Sequence, residues 1–171
     1  MQHSIHALAE PGQVEQLADQ LTELADVVHS RLMRALRSQG TTVPPGPGVT
    51  QEQAQALFAD EVALRQQANA LYADAAAHVI DDLAVPQRTV MAVTSAAKDS
   101  LRQVQQIQDG AAVLLAALLL ASAVAGGKAE AAVKALVKLE QQIAKLQHDT
   151  MPAGTSSANS GRTPLPQAES W

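Results

Sequence analysis

The sequence lacks cysteine and contains very few aromatic side chains. Without cysteine the chain has no disulfides, no thiolate nucleophiles and no zinc–thiolate sites. Aromatic residues make up 2% of the 171 residues, and they are Phe58, Tyr72 and Trp171. A core must therefore be built from leucine, valine, isoleucine and alanine. Such a core suits closely packed helices better than strands, which favour aromatic and β-branched residues.

The sequence also lacks a surplus of basic charge, and its opening residues lack the pattern that is typical of a classical signal peptide. The formal net charge is −5, whereas nucleic-acid binding needs a basic face and aromatic side chains that stack on bases, so we predict no nucleic-acid partner. The opening residues, MQHSIHALAE, contain neither a basic segment nor an apolar core of a cleaved signal. We therefore expect a cytoplasmic protein by default. Export without a cleaved signal and peripheral membrane association remain alternatives.

Motifs of catalytic and phosphate-binding sites are absent. The chain contains no Gly-x-x-x-x-Gly-Lys loop, no Gly-x-Ser-x-Gly elbow and no Glu-x-x-His pair. His3, His6 and Glu10 have the helical spacing of metal ligands, but a metal site needs more ligands than these. One further group of carboxylates and imidazole comprises Asp74, His78, Asp81 and Asp82. Because this group is typical of a solvated helix end, we predict no enzyme, no cofactor and no metal. A soluble bundle with a metal-binding or catalytic site is the alternative.

The most distinctive stretch that is present runs from Gly110 to Gly127 and contains no charged residue. As a helix, Ala111 to Ala125 is about 22 Å long, against about 30 Å of bilayer hydrocarbon. That length is more typical of a buried helix than of a membrane span. Since the stretch is apolar on all sides, we expect it to be covered on more than one side.

Apolar periodicity and helix stop signals predict four long helices. The first occupies residues 10–39 and is followed by a Pro/Gly linker, 40–49. The second begins at the capping-box residue Thr50 and lasts to about Leu83. The third spans Pro86 to Ala125, because its apolar stripe continues in phase beyond Gly110, with the glutamine-rich stretch 103–108 as a solvated face. The fourth runs from Lys128 to near His148 and folds back on the third.

These helices predict an all-α protein, either an antiparallel bundle or a helical-hairpin arrangement. Residues 50–148 form the predicted helical core, which contains the apolar helix 111–125. Residues 1–9 are expected to be a flexible N-terminus. Residues 149–171 are rich in Pro, Gly, Ser and Thr and are expected to be disordered.

The second helix carries a narrow leucine seam that favours self-association. Leu57, Leu64 and Leu71 repeat at intervals of seven, which is typical of paired helices. Glu61 interrupts the seam, and Arg65, one helical turn later, is its predicted partner. We therefore predict that the protein is a homo-oligomer or pairs with another helical protein.

The predicted function is association without catalysis, through the apolar hairpin. The hairpin is expected to dock on a protein partner or on an anionic membrane, because apolar leucines lie close to a basic helix face. The predicted interface residues are Leu114, Leu115, Leu118, Leu119, Lys134, Lys138 and Lys145.

Overall fold

The computed structural model describes residues 6–39 and 48–150, which contain five α-helices and no strand. The helices are α1 (Pro11–Gln39), α2 (Gln51–Ala73), α3 (Gln87–Gln103), α4 (Ala111–Ala125) and α5 (Ala129–Thr150). The predicted all-α class is confirmed, whereas the predicted count of four long helices is wrong. His3, most of the predicted linker and nearly all of the predicted tail lie outside the described residues.

The five helices pack as a closed ring around one apolar core. Each helix packs chiefly against two others, in the order α1, α2, α4, α5, α3 and back to α1. α1 and α3 run in the same direction, because Gln87 bonds to the residues at the start of α1 and Arg31 bonds to the end of α3. The bundle is therefore not uniformly antiparallel.

The first helix shows how its sequence produces its packing. Its buried residues recur every three or four positions, which places them on one face of the helix. They are Val14, Leu17, Ala18, Leu21, Leu24, Ala25, Val28 and Leu32. This apolar face lies against α2 and α3, while charged residues occupy the opposite face.

The second helix begins as predicted and ends earlier than predicted. The Thr50 hydroxyl accepts a bond from the Gln53 backbone N–H at 3.1 Å, and the Gln53 side chain accepts one from the Thr50 N–H at 2.9 Å. The helix ends at Ala73 and is followed by one 3₁₀ turn, Ala75–His78. The expectation that it continues to Leu83 is therefore wrong.

Hydrogen bonds with the N-terminal segment explain why the chain does not continue as a helix after α2. The Ile80 N–H donates to the Leu8 carbonyl at 2.9 Å, and the Ala7 N–H donates to the Val85 carbonyl at 2.7 Å. Ala7 and Leu8 are fully buried, and Leu8 adopts a positive φ of 60°. The expectation of a flexible segment 1–9 is thus wrong for residues 6–9, because these residues bond to the segment that follows α2.

The predicted single helix from Pro86 to Ala125 is also wrong. The chain leaves the helix after Gln103, passes through non-helical residues 104–106 and makes a 3₁₀ turn, Ile107–Gly110, before α4. Arg31 donates hydrogen bonds to the backbone carbonyls of Arg102, Val104 and Gln105 at this break. Those bonds satisfy carbonyls that a continuous helix would have used internally. Gln103 is thus the last residue of α3, and the rest of the glutamine-rich stretch, residues 104–108, belongs to the connection.

The break also allows a close approach between helices. A β-carbon at Gly110 would lie 2.3 Å from Cδ2 of Leu101, which is fully buried. Glycine at this position lets the start of α4 approach the end of α3.

A short turn joins α4 to α5. Gly127 has a positive φ of 65°, which favours glycine, and the Lys128 N–H donates to the Ala123 carbonyl at 3.0 Å. This turn satisfies carbonyls at the end of α4. α5 then folds back along α4, as predicted.

Candidate functional site

The apolar helix α4 is buried on one side and exposed on the other. Leu114 is 0% exposed, whereas its neighbour Leu115 is 45% exposed and Leu119 is 41% exposed. α2 and α5 cover the sides of α4, and the remaining face is open. α4 is therefore covered on more than one side, as predicted, but its remaining side carries a row of uncovered leucines.

This exposed row defines the docking face, which consists of Ala112, Leu115, Leu119 and Ser122. Its members follow one another at intervals of three, four and three residues. That spacing is the one by which paired helices place side chains along a common seam. Its two large side chains are apolar, and its two small residues leave room for a second helix to approach closely.

The docking face is bordered by exposed lysines on α5. Lys145 lines the same cleft as Ala112 and Val113 of α4, so this side of α5 lies next to the docking face. Lys138 and Lys134 lie two and three helical turns before Lys145, and so they follow the same side of α5. We call these three residues the lysine row. Lys134 forms an ion pair with Glu130 at 2.6 Å.

The predicted interface residues therefore fall into two groups. Leu115, Leu119 and the lysine row lie at the surface, whereas Leu114 belongs to the core and Leu118 is partly buried against it. Leu114 is not available to a partner while the fold is intact. The sequence could not distinguish these positions, because every residue of α4 is apolar or small.

The predicted leucine seam of α2 is also part of the core of a single chain. Leu57 is 2% exposed, and Leu64 and Leu71 are fully buried. They pack within the chain's own helical ring. Self-association itself stays a prediction, and these three leucines do not support it.

Within the described residues, one helical stretch is long and apolar enough to cross a membrane by length and composition. It comprises Ile107–Ala125, and 56% of its apolar window is buried inside the protein. Its buried part packs with α2 and α5. To span a membrane on its own, this stretch would have to separate from α2 and α5.

A polar network joins α1 to α2. The Glu61 carboxylate is 2% exposed and accepts bonds from the Arg65 guanidinium at 2.7 and 3.0 Å. Arg65 also donates to Asp26 of α1 at 2.8 Å, and the His29 ring lies 3.5 Å from the second Glu61 oxygen. The predicted pairing of Glu61 with Arg65 is confirmed. The network also contains two residues of α1 that the local sequence did not indicate.

The hydrogen-bond partners of Arg65 also shift the pKa of its guanidinium. Hydrogen bonds to Glu61 and then to Asp26 raise the pKa of the Arg65 guanidinium above its usual range. Through its bond to Asp26, Arg65 connects the buried carboxylate of α2 to α1. The arrangement is that of a structural ion pair with satisfied partners.

No group of three or more His, Cys, Asp or Glu side chains that could hold a metal lies within residues 6–39 and 48–150. Asp74, Asp81 and Asp82 are exposed around the end of α2 and the turn after it, and His78 is partly buried in the 3₁₀ turn. His6 approaches the Leu83 carbonyl at 3.1 Å, and His3 lies outside the described residues.

Comparisons with known proteins give no match for this chain. No protein-family model, no curated protein and no solved structure matches it.

Proposed function

We propose that this protein acts by association and not by catalysis, and that two copies pair through the docking face of α4. The observation that supports this proposal is the exposure of Leu115 and Leu119 on a helix without charged residues. Burying these two leucines against the same residues of a second copy removes apolar surface from water, which favours pairing.

The lysine row favours one orientation of the pair. In an antiparallel pair, α5 of both copies would lie on the same side of the interface and would bring the two lysine rows together. Glu130 offsets Lys134, and Asp149 lies beside Lys145, so the repulsion would come chiefly from Lys138. In a parallel pair, the two copies of α5 lie on opposite sides. We therefore expect a parallel, two-fold symmetric pair in which each residue of the docking face meets the same residue of the second copy.

The expected affinity is modest. Each copy would contribute one helix of about 22 Å to the contact. Such a contact buries less surface area than most stable interfaces do. The pair should therefore form reversibly as the concentration rises.

The test compares the mass in solution of the wild type with that of two matched variants. Leu115→Asp places a charge on the docking face, and Val137→Asp places one at an equally exposed apolar position of α5 outside it. We expect the wild type and Val137→Asp to dimerise with concentration in sedimentation velocity, and Leu115→Asp to remain monomeric with unchanged helicity. A wild type that stays monomeric at high micromolar concentration would overturn the proposal.

The orientation has its own test, because the chain contains no cysteine. Ser122→Cys introduces one thiol on the docking face, and Gln141→Cys introduces one on the exposed side of α5. A parallel pair brings the two thiols introduced by Ser122→Cys close enough to form a disulfide. We expect cross-linking of Ser122→Cys and not of Gln141→Cys, whereas equal cross-linking would contradict the parallel pair.

A membrane surface is the other occupant that the sequence indicated, and it is an outcome of the same experiments. Wild type that floats with anionic vesicles at low salt while remaining monomeric would replace the proposed pairing. In that case Lys138→Gln and Lys145→Gln should weaken flotation, and added salt should have the same effect.

A further inference from the structure

A second feature lies where α1, the entry to α2 and the α3–α4 connection meet. A cleft of about 440 Å³ opens there, a size within the range of small-molecule sites. Its polar lining consists of Arg31, Arg34, Ser38, Gln39, Gln105, Gln106 and Gln108. Among residues 6–39 and 48–150 no carboxylate lines this cleft, although the protein as a whole has a net charge of −5.

The sequence around the cleft is locally basic. No acidic residue lies between Asp26 and Glu52, and this interval contains Arg31, Arg34 and Arg37. The connection that forms the opposite wall, residues 104–108, also has no acidic residue. Glu23 and Asp26 of α1 line a neighbouring cleft together with Arg31 and Arg34, so the surplus of positive charge is local to the first cleft.

Arg31 is held in place by the backbone. Its guanidinium donates to the carbonyls of Arg102, Val104 and Gln105, which fix it against the end of α3. Burial first, and the charge of Arg34 second, lower the pKa of Arg31. The two like charges lie three residues apart on α1, and such pairs repel each other.

Arg34 differs from Arg31 in having an exposed side chain. It forms no ion pair within residues 6–39 and 48–150. Its planar guanidinium can therefore turn toward the cleft and bind an oxyanion with two parallel hydrogen bonds. The side-chain amides of Gln105 and Gln106 provide further N–H donors without adding charge.

We propose that this cleft binds a small molecule bearing a phosphate or diphosphate group. Arg34 is the principal ligand, and the fixed guanidinium of Arg31 adds positive charge on the same side. The bound anion would relieve the repulsion between Arg31 and Arg34. This site is separate from the docking face and does not depend on the proposed pairing.

Arginines near the end of a helix also stabilise its negative dipole end, and Arg37 provides the control for that role. Arg37 lies in the last turn of α1 and does not line the cleft. Arg34→Gln and Arg37→Gln therefore remove the same charge from the same helix, and only Arg34→Gln changes the cleft.

The experiment is a calorimetric titration of the full chain with inorganic pyrophosphate, in metal-free buffer at constant ionic strength. We expect saturable binding to one site in the wild type. Arg34→Gln should weaken it by about tenfold or more, since charge-assisted hydrogen bonds are lost. Arg37→Gln should change it by less than about twofold, because an exposed charge outside the site acts only through screened attraction.

Thermal unfolding supplies a second readout, because a ligand that binds the folded state raises the melting temperature. Pyrophosphate should raise the melting temperature of the wild type and of Arg37→Gln more than the melting temperature of Arg34→Gln. Without ligand neither variant should melt far below the wild type, because Arg34→Gln also removes the repulsion with Arg31 and the Arg37 side chain is exposed. The proposal fails if the wild type shows no saturable binding at millimolar pyrophosphate, or if Arg37→Gln weakens binding as much as Arg34→Gln.

Discussion

The α1–α2 interface and the α4–α5 hairpin are held by different kinds of contact. At the α1–α2 interface a buried carboxylate, Glu61, bonds to Arg65, which in turn bonds to Asp26 on the facing helix. No ion pair joins α4 to α5 among the described residues, because α4 has no charged side chain. Polar bonds therefore add to the apolar packing between α1 and α2, whereas α4 and α5 are joined by a short turn and apolar packing alone.

The two regions therefore tolerate substitutions at different kinds of position. A buried ion network loses much of its value when one member is removed, because the other is left without a partner. An apolar helix instead tolerates change on its open side and not on its buried side. Four predictions test this contrast, from the largest expected effect to the smallest.

The largest effect is expected when the same substitution is made at two adjacent leucines of α4, one buried and one exposed. Leu114→Asp places a charge in the core and should cost more than about 4 kcal/mol, which is enough to unfold many domains of this size. Leu115→Asp faces solvent and should cost about 1 kcal/mol or less. Chemical denaturation followed by circular dichroism measures both. Similar losses would show that α4 has no open side.

The second prediction concerns the buried ion network. Arg65→Met leaves Glu61 buried without its cation and should cost about 3 kcal/mol. Glu61→Gln should cost less, about 1 kcal/mol, because the half-buried Arg65 still reaches Asp26 and water. Urea unfolding of the two variants and of the double variant measures their coupling. Additive losses would contradict a shared network.

The third prediction addresses the hairpin turn. Gly127→Ala forces alanine into the positive φ of 65° and should cost about 1 kcal/mol. Gly126→Ala is the control for backbone conformation, because Gly126 has a φ of −81° that alanine readily adopts, with its β-carbon 3.3 Å from the Ser122 carbonyl oxygen. We expect a smaller loss at Gly126 in thermal unfolding. Equal losses would mean that backbone conformation does not determine this turn.

The smallest effect is expected at the exposed ion pair of α5. The hydrogen bond from Lys134, and then its charge, lower the pKa of Glu130 from its usual 4.5. Stability from this pair is therefore present above about pH 4.5 and is lost as the pH falls through the lowered pKa. Since both side chains are exposed, Glu130→Gln should not measurably change unfolding at pH 7. NMR titration of Glu130 tests the pKa, and an unshifted value would contradict it.

Local signals predicted many of the helix ends. The predicted capping box at Thr50 forms with Gln53, and the first helix begins at Pro11, one residue after its predicted start at residue 10. These predictions succeeded because capping bonds and proline geometry act within one helical turn. The predicted single helix across Gly110 failed because its break is satisfied by Arg31, more than seventy residues away in the chain.

The candidate site was predicted in part. The hairpin and its lysine row were identified from the apolar run and the spacing of Lys134, Lys138 and Lys145. The sequence did not indicate which leucines are open to solvent, nor the arginine-lined cleft. Arg31 and Arg34 belong to α1, whereas the glutamines of the opposite wall lie about seventy residues later, and only the fold brings them together.

The sequence by itself determined the all-helical class, the position of the uncharged helix and the turn that folds α5 back on it. These features depend on residue composition, helical periodicity and glycine conformation, all of which act locally. Only the tertiary structure decided that Leu114 faces the core and Leu115 faces water. A helix that is apolar on every side has no polar face to mark its orientation, so its neighbours α2 and α5 determine which side remains exposed.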